Sequence, residues 1–228
     1  MTTTTPKERP ILFSGAMVRA ILAGTKTQTR REIKPQPHAH WMPEVGMYAP
    51  TMIDRTGEQF PGPEVYGASD EFDGRKCPYG QPGDRLWVRE SFQPIFAAGI
   101  EHNDTDWKTG KGYACKYPAT DPIEEWIDAD DNITSRCKPS IHMPRWASRL
   151  TLEVVEVRVE RLGQISEADA IAEGVTYGPC RHEGHGESCP ATRTAQEAFK
   201  DLWWGINGGE SWERNPWVWV VEFRRVKP

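Results

Sequence analysis

Ile21-Leu22-Ala23-Gly24-Thr25-Lys26-Thr27-Gln28-Thr29-Arg30-Arg31 is the stretch on which the fold turns. An apolar run ends at a glycine, and one lysine, three threonines and two arginines then fill residues 25–31. Met17, Ala20 and Ile21 recur at helical spacing, so residues 15–23 predict a helix with one buried face. Ser14 is placed to cap its start, and Gly24 stands where a left-handed C-cap is wanted. Residues 25–33 then read as a turn followed by a strand. In a regular strand, residues 26 and 29 point to opposite faces. Lys26 and Thr29 therefore converge only if Lys26 lies on the turn and Thr29 opens the strand, or if the segment forms one helical turn. Two readings stand: the floor of a small polar pocket, or a solvated basic edge.

Outward from this stretch, residues 10–13 form a short apolar strand. Residues 1–9 are a threonine run with charges and lack the apolar core of a secretion signal. They read as a flexible tail on a cytoplasmic protein, and residues 10–228 as a single domain. Prolines dissolve the pattern over residues 34–82, an insertion expected to hold hairpins near 47–53 and to act as an ordered surface loop or a substrate lid. Pro82-Gly83-Asp84 is a turn, and residues 85–92 a strand with Glu90 on its apolar parity. Glu90 is either at a solvated strand end or aimed into a polar pocket. A second insertion covers 93–144, with a hairpin arm at 108–117 and an exposed acidic run at 121–131.

Residues 145–162 carry the clearest β signal. Leu150, Leu152 and Val154 share one parity and Val155, Val157 and Val159 the other, which predicts a bulge or bend of the kind that closing barrels use. Ser166 caps a helix with an acidic first turn that stops at Gly174. A Gly/Cys/His-rich insertion occupies 176–193. Residues 194–205 read as a helix, and 217–226 as a closing strand in which Glu222 shares a parity with Val218 and Val220.

Taken in order, these features resemble the ASCH domain, a relative of the PUA-like barrels. Gly24-x-Lys26-x-x-Thr29-x-Arg31 fits that family's G-x-K-x-x-T-x-R motif. The Pro-Gly-Asp turn before a strand, the bent strand with its short helix ending in Glu173, and the final Val-Val-Glu-Phe strand follow in the family's order. The long insertions resemble members carried by phages and prophages. The resemblance implies an α+β fold: a PUA-like barrel of five to seven strands with two or three short helices. Small bacterial members are N4-acetylcytidine amidohydrolases in which the residues matching Lys26, Thr29 and Glu173 carry the chemistry. Other relatives bind or cleave RNA.

That chemistry suits the residue types. A threonine hydroxyl needs a base to become a nucleophile. Lysine serves when burial and neighbouring cations lower its pKa. Glu173 would orient Lys26 or position water, and Arg31, with Arg30 beside it, would hold developing negative charge or a phosphate. Arg145, Trp146, His142 and Glu90 are further substrate-binding candidates, with Arg85, Arg89 and Arg149 completing a basic rim. Trp146 is either a base-stacking ring or a packed one. The catalysis so read requires no cofactor.

Cys180, His182, His185 and Cys189 carry the donors of a tetrahedral zinc site. Four protein ligands would leave no open position, so zinc there would be structural; the other reading is a polar loop. The odd total of five cysteines does not suggest a disulfide framework.

The net charge of −5 argues against non-specific binding to long nucleic acid, and no apolar run approaches membrane-spanning length. The expected partner is a modified nucleoside or a single strand, with no membrane, and nothing marks an oligomeric state. Three functions follow: an amidohydrolase on an acylated pyrimidine, a non-catalytic module for modified bases or single-stranded RNA or DNA, and a metal-independent ribonuclease.

Overall fold

The structure is a computed structural model and describes residues 5–97, 105–123, 125–127, 133–178 and 193–226. The chain divides into two compact units: residues 1–24, 85–153 and 225–228 form the first, and 25–84 with 154–224 the second.

The first unit starts with β1 (Glu8–Leu12) and α1 (Gly15–Ala23). Ser14 accepts the Met17 N–H at 3.4 Å, and Gly24 ends the helix at φ 78°, a conformation that costs any residue with a Cβ. The second unit takes the next six strands: β2 (Gln28–Glu32), β3 (Glu44–Tyr48), β4 (Thr51–Ile53), β5 (Gln59–Pro61), β6 (Val65–Ser69) and β7 (Gly74–Lys76). The proline-rich insertion is therefore ordered. It forms the sheet β3-β6-β7 and the separate hairpin β4-β5. The short strands between prolines pair only locally, which is why their alternation is faint in the sequence.

The chain then returns to the first unit with β8 (Arg85–Arg89), β9 (Gln93–Phe96), β10 (Tyr113–Lys116), β11 (Trp126–Ile127) and β12 (Ile133–Thr134). β8 lies parallel to β1, with Glu8 opposite Arg85 and Leu12 opposite Arg89. β9 and β10 make the expected hairpin. Phe92 falls beyond β8 and bridges Lys138.

β13 (Thr151–Arg161) contributes its first three residues to the first unit, where they pair with β8. It is shorter than the strand expected at 145–162. Arg145–Ala147 is instead a 3-10 turn introduced by Pro144, and the Ser148 hydroxyl donates to the carbonyls of Val88 and Leu150. The phase change in the sequence is visible in burial: Leu152, Val154 and Val157 are buried, while Val155 and Glu156 are both exposed.

The second unit finishes with α2 (Glu167–Ala172), α3 (Ala195–Asn207), α4 (Glu210–Glu213) and β14 (Trp217–Val226). β13, β14 and β2 lie side by side there. Leu162, Ile165 and Ala170 pack with Ala195, Phe199 and Trp203 of α3 against Val218 and Val220 of β14. Thr194 and Glu197 form a capping box that starts α3, a device worth about 1 kcal/mol.

The fold is mixed α+β, with most strands in several small sheets and few helices. Among the described residues, no sheet closes into the barrel that the sequence led us to expect. Among the same residues, no helix is long and apolar enough to cross a membrane.

Candidate active site

Gly24 stops α1, and the chain then runs into β2 of the second unit. Lys26 lies before the strand, in a β-bridge with Glu173. Two backbone bonds fix it there: Thr27 N–H to the Ala172 carbonyl at 2.8 Å, and Phe223 N–H to the Thr27 carbonyl at 2.8 Å. Glu173 caps the C-terminus of α2, and Gly174 follows at φ 77°. The Lys26 ammonium therefore donates twice to one residue, to Glu173 Oε2 at 2.7 Å and to the Glu173 carbonyl at 2.9 Å. The second bond places a cation at the negative end of a helix, where the peptide dipoles favour it.

Thr29 is the second residue of β2, paired with Val221 of β14. Lys26 is thus in a bridge two residues after the Gly24 stop rather than on the turn itself, and Thr29 is one residue inside β2 rather than at its opening. Lys26 and Thr29 are each 2% exposed, Glu173 3% and Arg30 4%. That burial excludes the solvated-edge reading for Lys26 and Arg30. Arg31 is half-buried and pairs with Trp219.

Arg30 joins the pair to a larger network. Its Nη1 reaches Glu173 Oε1 at 3.5 Å, and its Nη2 reaches Glu160 Oε2 at 2.9 Å and Asp169 Oδ2 at 3.1 Å. Behind it, Arg158 of β13 donates to Glu160 Oε1 at 2.6 Å, to Asp169 Oδ1 at 2.7 Å and to Glu222 of β14. Gln28 donates to the Asp169 carbonyl at 2.9 Å. Arg30 Nε is buried with no hydrogen-bond acceptor among the described residues.

Taking a charge out of water costs several kcal/mol per ion unless close opposite charges compensate. Alternation of cation and carboxylate from Lys26 to Glu222 supplies that compensation. Burial, followed by the positive charges of Arg31 and Arg30, lowers the Lys26 pKa, and Glu173 opposes this only in part. At Asp169 burial acts upward, but hydrogen bonds from Ser166 and Gln28 and the charges of Arg30 and Arg158 outweigh it, so its pKa is lowered.

The remaining candidates belong to the first unit. Glu90 is buried and gripped by Arg149 through two bonds, at 2.9 and 3.0 Å, so it is not at a solvated strand end. The Arg149 guanidinium also lies 4.0 Å over the Tyr117 ring. Arg145 pairs with Glu8 at 2.9 Å, and the exposed His142 ends the short turn Ser140–His142. Trp146 is packed: its Nε1 donates to the Trp107 carbonyl at 2.8 Å, and its ring stands edge-on to Trp107 at 5.1 Å. Gly110 lies flush against that ring.

Cys180, His182, His185 and Cys189 lie outside the described residues. Cys77 is buried, and Cys115 and Cys137 are half-buried.

Gln28, Arg158, Glu160 and Asp169 were not singled out as site residues from the sequence. One signal was available: Arg158 and Glu160 share a parity in an otherwise valine-rich strand, so two charges fall on one face. The chain matches no family model, no curated protein and no solved structure.

Proposed function

We propose that the chain is a long ASCH-type protein of the PUA-like superfamily that removes an acyl group from a modified pyrimidine such as N4-acetylcytidine. The observation that carries the reading is the buried Lys26–Glu173 contact, which unites two of the three residues to which the resemblance gives catalytic roles. The order of elements supports it further: a helix stopped at Gly24, a strand, a long strand with a phase change, a helix capped by Glu173 and a final strand.

In this mechanism Lys26 reacts as the unprotonated amine, its proton lost to solvent while Glu173 stays a carboxylate, and takes the proton of the Thr29 hydroxyl. The Thr29 oxygen bonds to the acyl carbon. The C–N bond then breaks, and Lys26 protonates the departing amino group. Water hydrolyses the resulting ester; Glu173 takes its proton and returns it to Thr29. Arg31 holds the developing negative charge.

A second reading, a binding module without turnover, has its own support. With a carboxylate at 2.7 Å, a charged Lys26 is a fixed donor rather than a base. One experiment separates the two. The purified protein is incubated with N4-acetylcytidine, and acetate and cytidine are measured. Release that falls by about 10²-fold or more in Thr29→Ala and in Lys26→Met supports the hydrolase. Saturable binding without product, weakened in Lys26→Met, supports the module.

A further inference from the structure

The motif accounts for Lys26, Thr29 and Arg31 and the wider resemblance for Glu173, but a guanidinium contact to Glu173 comes from Arg30, which the motif leaves unspecified. Arg30 is oriented by three carboxylates at once. One nitrogen meets Glu173 at 3.5 Å and another meets Glu160 and Asp169 at 2.9 and 3.1 Å. Those two carboxylates are in turn held by Arg158, which also engages Glu222. Glu173 therefore divides its two oxygens, Oε2 to Lys26 and Oε1 to Arg30.

We propose that Arg30 is a positioning residue that acts through Glu173, and that Glu160 and Asp169, backed by Arg158, decide how much of the Glu173 charge is left for Lys26. This rests on reading Lys26 and Glu173 as the reactive pair. The groups facing Lys26 make the argument directional. Glu173 comes from the end of α2, and Arg30 and Arg31 from β2. Asp169 of α2, Glu160 and Arg158 of β13 and Glu222 of β14 lie one or two contacts further out. Removing the Arg30 charge leaves more of the Glu173 charge to Lys26. Removing the Asp169 charge leaves Arg30 less compensated, so its pull on Glu173 grows.

The test follows the Lys26 side chain directly, by its Nζ and Cε nuclear magnetic resonance signals in the full-length, lysine-labelled chain titrated with base. Lys26 is assigned from the Lys26→Met spectrum. Arg30→Gln is expected to raise the midpoint by about one unit and Asp169→Asn to lower it. Glu160→Gln, which removes the other carboxylate on the same Arg30 nitrogen, repeats the downward shift should Asp169→Asn fail to fold. Arg30→Lys keeps the charge but loses the planar fork that spans Glu173 on one side and Glu160 with Asp169 on the other. Its midpoint should return toward the wild-type value, while kcat on N4-acetylcytidine falls with KM unchanged. Midpoints that stay fixed, or that move the same way in Arg30→Gln and Asp169→Asn, overturn the proposal. Opposite shifts in a protein that does not hydrolyse N4-acetylcytidine leave Arg30 in this role and remove the hydrolase reading. Hydrolysis with fixed midpoints does the reverse.

Discussion

The ammonium of Lys26 and the carboxylate of Glu173, separated by 147 residues in the chain, meet at 2.7 Å with both side chains buried. The same ammonium also takes the Glu173 carbonyl. This contact ties the strand entry at Thr27 to the end of α2, so it is structural as well as chemical.

Breaking the pair from one side should be expensive. Lys26→Met leaves a buried carboxylate with Arg30 as its main partner, and removing one member of a buried pair costs about 3–5 kcal/mol. The double variant Lys26→Met/Glu173→Met removes both charges and should recover a large part of that loss. Urea denaturation of the two single variants and the double variant measures the coupling. Losses that simply add would mean that the two residues do not interact.

Acid should attack the same network. The Asp169 carboxyl is held below its ordinary value, so the folded state binds its proton less readily than the unfolded chain does. Its stabilising contribution is therefore complete above the unfolded value of about 3.9 and fades as pH falls through the lower folded value. The stability difference between wild type and Asp169→Asn, taken from denaturation curves at stepped pH, should shrink in that window. A difference independent of pH would count against the assignment.

The helix before Gly24, the turn after it and the strand carrying Thr29 were all legible because each has a local signature: apolar spacing, a glycine stop and a β-branched run. Glu173 was legible only through the family resemblance, since a glutamate ahead of a helix-stopping glycine is common. The network beyond it was not legible. Arg158, Glu160, Asp169 and Glu222 come from three elements, and apart from Glu222, which shares a parity with valines, each alone reads as an ordinary surface charge. Only their pairing across β13, β14 and α2 makes them one system. The insertion at 34–82 was hidden for a related reason, because its strands are three to five residues long and alternate too briefly to register.

Trp146 tests the distinction between packing and ligand stacking. A Cβ on Gly110 would fall 2.5 Å from the Trp146 ring, and Gly110 has φ 79°. Gly110→Ala should therefore destabilise the chain through both the clash and the backbone. Trp146→Ala, which opens a cavity beside Phe92 and Met143, should cost about 3–5 kcal/mol. Titration of the folded variants with a short single-stranded RNA should give the wild-type affinity. A variant of wild-type stability with weakened RNA binding would restore the stacking role.

If Lys26 is the base, the pH dependence of turnover has a fixed direction. The reactive form is the unprotonated amine, so kcat/KM on N4-acetylcytidine should rise with pH. Burial, then the charges of Arg31 and Arg30, lowers the Lys26 pKa, so the inflection should fall below the ordinary lysine value of about 10.4. Arg31→Gln removes one of those charges. It should move the inflection upward and reduce the rate at neutral pH, where less amine is then available. The same substitution also removes an anion-binding group, which lowers the plateau without moving the inflection. The two effects are separable in one profile: the shift reports the field at Lys26, and the plateau reports the contact with substrate. An inflection that stays in place in Arg31→Gln, while the plateau falls, would leave Arg31 as a substrate contact only and take it out of the tuning of Lys26.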